Sequence, residues 1–212
     1  MLATVPQGLT QRWNVAPTQA VAAVRLSNAT GLRELIFPRW GLVPVWAEDP
    51  RIGSKLINAR AETATEKPAF QSAMRHRRCL IPASGFFEWQ RLPDGTRQPY
   101  WIRLRGGGLL GLAGLFETRQ DPTGGPDLLT CTILTVPANA LVAELHERMP
   151  AIVQPGSYAE WLAPETQPPV HLLAPFAAQA MEQWPVSPRV NSPGNDGPDL
   201  LRPMPVQGGL PL

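Results

Sequence analysis

"LLGLAGLFETR", residues 109–119, and "LLTCTILTVP", residues 128–137, are leucine-rich or β-branched runs with Pro, Gly and Asp at their borders. Such runs read as strands. The same signature recurs on either side, in "AVAAVRL" (20–26), "ELIFPRWGLVP" (34–44), "CLIPAS" (79–84), "FFEWQRL" (86–92) and "PYWIRLR" (99–105). "RLPDGTRQP" is a turn between two of these, with Asp94-Gly95 at its tip. Helical patterns are fewer. One covers roughly 65–77, with Thr65 as N-cap and Pro68 in the first turn. Others are "ANALVAELH" (138–146), "GSYAEWLA" (156–163, Ser157 as cap) and a short one in "PFAAQAMEQ" (175–183). Strands outnumber helices, and the helices interrupt them irregularly. This predicts an α+β fold, a single domain with a curved, mostly antiparallel β-sheet, a barrel-like core and a few short helices.

A chain of 212 residues supports one domain with a real core, or at most two small ones. The expected division is a domain over 1–203 and a surface or disordered tail over 204–212. From Pro193 onward the chain is too rich in Pro and Gly for regular structure, so it should wrap the surface or hang free. Twenty-five prolines against 18 glycines imply many short elements and ordered turns. No apolar run approaches the roughly 18 residues of a membrane span, and the start has no secretory pattern. A cytoplasmic protein with no membrane partner is expected.

Charged residues are only 17%, and the net charge of +2 does not announce nucleic-acid binding by itself. The type of cation says more. Only Lys55 and Lys67 are lysines; the other basic residues are arginines, which suit phosphates and base stacking. A GC-rich genome explains the same bias. Cys79 and Cys131 sit in apolar runs and read as buried thiols, with no disulfide. The histidines His76, His146 and His171 are too scattered for a zinc site, so no metal and no cofactor are expected.

Four stretches carry polar groups that packing alone does not explain. In "LINARAETATEKPAF" (56–70), Asn58, Arg60 and Glu62 fall at every second position, with Ala59 and Ala61 between them. In "SGFFEWQ", Glu88 alternates with Phe87 and Trp89; alone it reads as an ordinary solvent-facing carboxylate. "HERMP" places His146 at a helix end, followed by Glu147 and Arg148; a lone His there is usually a dipole partner. "VSPRVNSPGND" carries Arg189, Asn191, Asn195 and Asp196 in what alone is a turn-rich loop. The run "MRHRRC" (Arg75, His76, Arg77, Arg78) reads as a solvated basic face.

Taken together and in order, "RWNVAPTQ", "RWGLVPVWA", "INARAET", "RRCLIPASGFFEW", "HERMP" and "RVNSPGND" closely resemble the SOS response-associated peptidase (SRAP) family of abasic-site processing proteins. The resemblance covers about residues 12–203, and "PYWIRLR" and "GLAGLFE" look like the family's central strands. It implies a protein that binds single-stranded DNA and links covalently to the aldehyde of an abasic site in the DNA damage response. In the family a cysteine after the initiator methionine condenses with that aldehyde to a thiazolidine. Matched residue by residue, the catalytic group is Asn58, Glu88 and His146, with Glu62 in support. Trp40 is the candidate base-stacking platform. Arg60, Arg148 and Arg189 are candidates for phosphates, and Asn191 lies with them at the DNA. A carboxylate near apolar rings can have its pKa raised toward neutral and act as acid and base. An imidazole suits proton shuttling, and an amide can fix backbone or sugar hydroxyls. Every second residue of "NARAE" would point into one pocket, with the alanines behind. A monomer is expected.

The chain departs from that family at its start, Met1-Leu2 where the family has Met-Cys-Gly-Arg, and at Phe87, where many relatives carry tyrosine. Either the true start lies upstream or the lineage has lost the nucleophile. An α-amine, with a pKa near roughly 8, can still form a reversible imine. The alternatives are a non-catalytic single-stranded DNA-binding relative and, last, an (auto)peptidase. The last is ranked lowest because no GxSxG, no Ser/His/Asp order and no plausible nucleophilic Cys is present.

Overall fold

The computed structural model describes residues 10–121, 124–164 and 167–204. Its strands, in chain order, are β1 (Ala23–Leu26), β2 (Arg33–Ile36), β3 (Arg39–Trp40), β4 (Asn58–Arg60), β5 (Arg78–Ala83), β6 (Phe86–Arg91), β7 (Arg97–Leu104), β8 (Leu110–Arg119), β9 (Leu128–Pro137), β10 (Arg148–Pro150), β11 (Ile152–Val153) and β12 (Met181–Pro185). Three short α-helices accompany them, α1 (Ala61–Ala64), α2 (Gln71–His76) and α3 (Tyr158–Leu162). The architecture is the α+β fold the sequence predicts. A large mixed sheet curls into a half-barrel in the order β10-β9-β8-β5-β1-β2, with β11 on β8 and β3 and β4 on β9. A smaller sheet, β12-β7-β6, is wholly antiparallel. The parallel pairings are β3 and β4 along β9.

β8 and β9 form the centre. Eight consecutive residues of β8 are buried, and β9 is buried from Thr130 to Val136. A strand covered on both faces needs no polar alternation, which is why these segments read as continuous apolar runs. The curl follows from register. β8 pairs with residues 128–133 of β9, and β10 takes the 135–137 end while β11 takes the start of β8. Two glycines permit close approaches next to the cleft described below. Gly41, which follows Trp40, has φ +130°, and a Cβ there would lie 2.7 Å from the Gly53 carbonyl. Gly85, between β5 and β6, lies against the Ile102 carbonyl and the Trp101 ring, where no Cβ fits.

The helical expectations fare less well. Thr65 caps no helix start; it closes α1, and α2 begins at Gln71 after the turn at Pro68. Of residues 138–146 only a 3-10 turn, Val142–Glu144, is helical. The Asn139 side chain takes the Val142 N–H at 2.9 Å and gives its amide to the Phe176 carbonyl at 2.7 Å. Ser157 precedes α3 without a side-chain cap bond. "PFAAQAMEQ" becomes a 3-10 turn and then β12, whose pairing with β7 overrides the helical pattern. "MRHRRC" is only half a solvated face. Arg78 is buried and caps the C-termini of α2 and α3 by donating to the Met74, Arg75, Trp161 and Ala163 carbonyls. Arg77 pairs with the buried Glu117. The segment after Pro193 wraps the surface, burying Leu200 and donating Met204 N–H to the Pro185 carbonyl. Most of the 204–212 tail, and the Met1-Leu2 start, lie outside the described residues. Among the described residues no helix is long and apolar enough to cross a membrane.

Candidate functional site

A cleft of about 1440 Å³ opens where the two sheets, the segment from Thr10 to Pro17 and the loop after β12 meet. Small-molecule pockets run to roughly 300–1,000 Å³, so this one suits a larger ligand. β4 enters it beside β9, with Asn58 opposite Ile133 and Arg60 opposite Thr135. Asn58 and Arg60 are exposed into the cleft, while Ala59 between them is 2% exposed, which is the strand alternation expected. Glu62 departs from it. The chain turns helical at Ala61, and Glu62 leaves the cleft wall to grip Arg148, with Nη1 to Oε1 at 2.6 Å and Nη2 to Oε2 at 2.8 Å. That hydrogen-bonded cation holds the Glu62 carboxyl below its ordinary pKa.

Glu88 lies on β6 opposite Tyr100. It is half-buried in the cleft rather than solvent-facing, and burial pushes its carboxyl up while the nearby His146 pulls it down. His146 and Arg148 also line the cleft. The Arg148 N–H donates to His146 Nδ1 at 3.0 Å, and the Arg148 carbonyl lies 3.1 Å from the same nitrogen. The main chain thus holds the ring by Nδ1 in either tautomer and leaves Nε2 for a ligand. Arg148 Nη2 also donates to the Thr135 carbonyl at 2.5 Å. Of the proposed phosphate ligands, Arg60 makes no hydrogen bond or ion pair among the described residues.

Trp40 forms part of the wall, its Nε1 tied to the Ile57 carbonyl at 2.8 Å. Asn191 lines the cleft and accepts from Trp89 Nε1 at 2.8 Å. Arg189 does not join them; its guanidinium is paired with Asp199 at 2.6 Å, outside the lining. The cleft therefore gathers Trp40, Asn58, Arg60, Glu88, His146, Arg148 and Asn191, with Glu62 one step behind. Cys79 and Cys131 are buried in the core, where desolvation pushes the Cys79 thiol up and the Cys131 thiol up to about 12. Neither is an available nucleophile.

Sequence reasoning missed the clasp that closes one end. Asp196 accepts the Trp13 N–H at 2.6 Å, the Asn14 N–H at 3.0 Å and Arg12 Nε at 2.5 Å. Asn14, 6% exposed, gives its amide to the carbonyls of Val190, Ser192 and Asn195 at 3.0–3.2 Å. The partners stand more than 170 residues apart, so no local pattern signals the pairing.

Comparison with known proteins gives the family and the fold. The sequence model described as "SOS response associated peptidase (SRAP)" matches residues 2–193. The abasic site processing protein YoqW of Bacillus subtilis is 44% identical over 192 residues, covering 89% of this chain and 84% of that protein. The abasic site processing protein HMCES of Gallus gallus is 36% identical, and the match covers 84% of this chain and 60% of the longer relative. A crystal structure of a Bacteroides thetaiotaomicron protein superposes with TM-score 0.78 at 27% identity, over 88% of this chain and 82% of that one. A Bordetella bronchiseptica protein gives 0.72 at 27% identity, over 82% and 86%.

Proposed function

This chain belongs to the SOS response associated peptidase (SRAP) family, and from that premise we propose that it processes abasic sites in DNA. Its cleft holds single-stranded DNA and presents the open aldehyde of an abasic site to Glu88 and His146 for covalent capture by an amine. One observation carries the reading. A carboxylate with a raised pKa faces an imidazole in a cleft too large for a metabolite and furnished with an unpaired arginine. The amine nitrogen adds to the aldehyde carbon and loses a proton, giving a carbinolamine. Loss of water then gives the imine, and the departing hydroxyl needs a proton. Glu88, whose carboxyl burial raises, donates it, and His146 relays protons through Nε2. The Asn58 amide binds a sugar hydroxyl, Arg60 a phosphate, and the Trp40 ring offers its face to a base. Arg148, engaged by Glu62, serves mainly to hold His146. Cytoplasmic action as a monomer on damaged DNA belongs to the same proposal.

The test is a denaturing gel with intact-mass measurement after mixing the protein with a single-stranded oligonucleotide carrying one abasic site. The chain is run with and without a reductant that traps imines, beside a version preceded by Met-Cys. An adduct of protein plus DNA minus water, at least 10²-fold slower to form in Glu88→Gln, is the expected outcome. If intact and abasic DNA bind equally and no version forms an adduct, the protein is a binding module without the covalent step. Proteolysis of an unrelated peptide that Glu88→Ala abolishes would favour a peptidase instead.

A further inference from the structure

The hairpin that carries Glu88 ends in an arrangement the cleft chemistry does not use. Arg91 and Arg97 stand directly opposite each other in the β6–β7 register. Side chains so paired have Cβ atoms about 4.5–5.5 Å apart, and like charges there are destabilising. Both are exposed, and neither makes a hydrogen bond or ion pair among the described residues. The carboxylate of the tip, Asp94, is turned to its own loop, accepting the Thr96 N–H at 2.9 Å and the Thr96 hydroxyl at 2.6 Å. A chain with few charges thus sets two cations together at an uncompensated point.

Register also fixes which way they face. Directly opposed residues share a face, so Phe87 and Trp101, Trp89 and Pro99, and Arg91 and Arg97 form one row, on the face of the hairpin opposite Glu88. Trp89 is part of the cleft lining, at the end where it bonds Asn191. The arginine pair continues that row two residues further, about 7 Å along the strand.

We infer that Arg91 and Arg97 form a phosphodiester subsite for the single strand as it leaves the cleft past Trp89. The inference rests on the reading of the cleft as a DNA groove. The bound anion is the internucleotide phosphate. It sits between two facing guanidiniums that otherwise repel and offsets one of their two charges, and each guanidinium can present two N–H groups to it.

The experiment is fluorescence anisotropy with single-stranded DNA, comparing an oligonucleotide just long enough to fill the cleft with one about six nucleotides longer at both ends. Each phosphate neutralised in a single strand contributes about 0.7 to the salt slope. For the longer oligonucleotide, Arg91→Gln/Arg97→Gln should lower that slope by about 0.7, a roughly 2.6-fold smaller loss of affinity between 50 and 200 mM salt. The shorter one should be unaffected. Arg91→Glu/Arg97→Glu should weaken only the longer one further. Both positions are exposed, so in the glutamine variant the Tm should hold or rise as the like-charge pair is removed. An unchanged slope on the longer DNA, while Arg60→Gln still lowers it, overturns the subsite and leaves the groove standing. An equal loss on both lengths also overturns it. Failure of the unmodified protein to bind either oligonucleotide overturns the groove and the subsite together.

Discussion

The backbone N–H of Arg148 holds His146 by Nδ1 at 3.0 Å, while the guanidinium of the same residue is locked to Glu62. A single arginine thus ties the imidazole at the cleft to a carboxylate on α1 that stands outside the cleft lining. Glu62→Gln should slow adduct formation about tenfold, well short of the loss on removing His146 itself, with DNA affinity held within about twofold. The Glu62 carboxyl is held low by Arg148, so its contribution to stability is present above its ordinary value of 4.5 and is lost as pH falls through the depressed folded value. Glu62 is 48% exposed, which limits that contribution to about 0.5–1 kcal/mol. Urea unfolding of both proteins at pH 7 and pH 3 measures it.

Glu88 should show the opposite sign. Burial raises its carboxyl above 4.5, so the folded protein binds a proton more tightly there than the unfolded chain does. Stability from this group is complete below the unfolded value and is lost as pH rises through the folded one. Glu88→Gln should therefore raise Tm at pH 7–8, by about 2–4 °C for each kcal/mol relieved, and the gain should vanish near pH 4. The same change should abolish rapid adduct formation. Calorimetry across pH, paired with the gel assay, separates the two effects.

How much of this could be read from the sequence follows from the range of the forces involved. β8 and β9 are legible almost to the residue because a continuous apolar run is a local signal. The stretch "AQAMEQW" misled because its own composition suits a helix. What makes it a strand is β7, where Arg103 pairs with Glu182 at 2.8 Å and stacks over Trp184. Asn58 and Arg60 keep their alternation, but Glu62 lost its place on the cleft wall where the chain turns helical at Ala61. Arg189, a phosphate candidate only through the family resemblance, sits in a turn-rich loop, and its guanidinium is paired with Asp199, ten residues on.

Arg60 and Arg189 should now separate cleanly in binding. Arg60 stands unpaired in the cleft and Arg189 is paired outside it. Arg60→Gln should lower the salt slope for single-stranded DNA by about 0.7, the share of one phosphate, and Arg189→Gln should leave it unchanged. Trp40→Ala should cost about 1–3 kcal/mol of binding, with no change in that slope. Anisotropy titrations at four salt concentrations check all three.

The clasp between Asn14 and the loop at 190–196 gives the sharpest stability test, because its geometry admits only one chemistry. The Asn14 amide nitrogen serves three carbonyl oxygens at once in a buried site. Asn14→Ala leaves those acceptors unmet and should cost about 1–3 kcal/mol. Asn14→Asp is nearly the same size but turns oxygen lone pairs against three carbonyls, so it should cost more than alanine at pH 7. Protonation restores one donor, and the gap between the two variants should narrow as pH falls toward about 4, where the unfolded carboxyl also protonates, and change no further below it. Asp196 works in the other direction. Burial pushes its carboxyl up, but the Trp13 N–H, the Arg12 guanidinium and the Asn14 N–H outweigh that and hold it below 3.8. Its contribution is present above 3.8 and disappears as pH falls through the lower folded value. Asp196→Asn should therefore be destabilised at pH 7 and approach the unmodified protein at low pH. Unfolding curves at pH 7, 5 and 3 for the three variants decide it. Equal costs for Asn14→Ala and Asn14→Asp at every pH would mean that the amide does not carry the clasp.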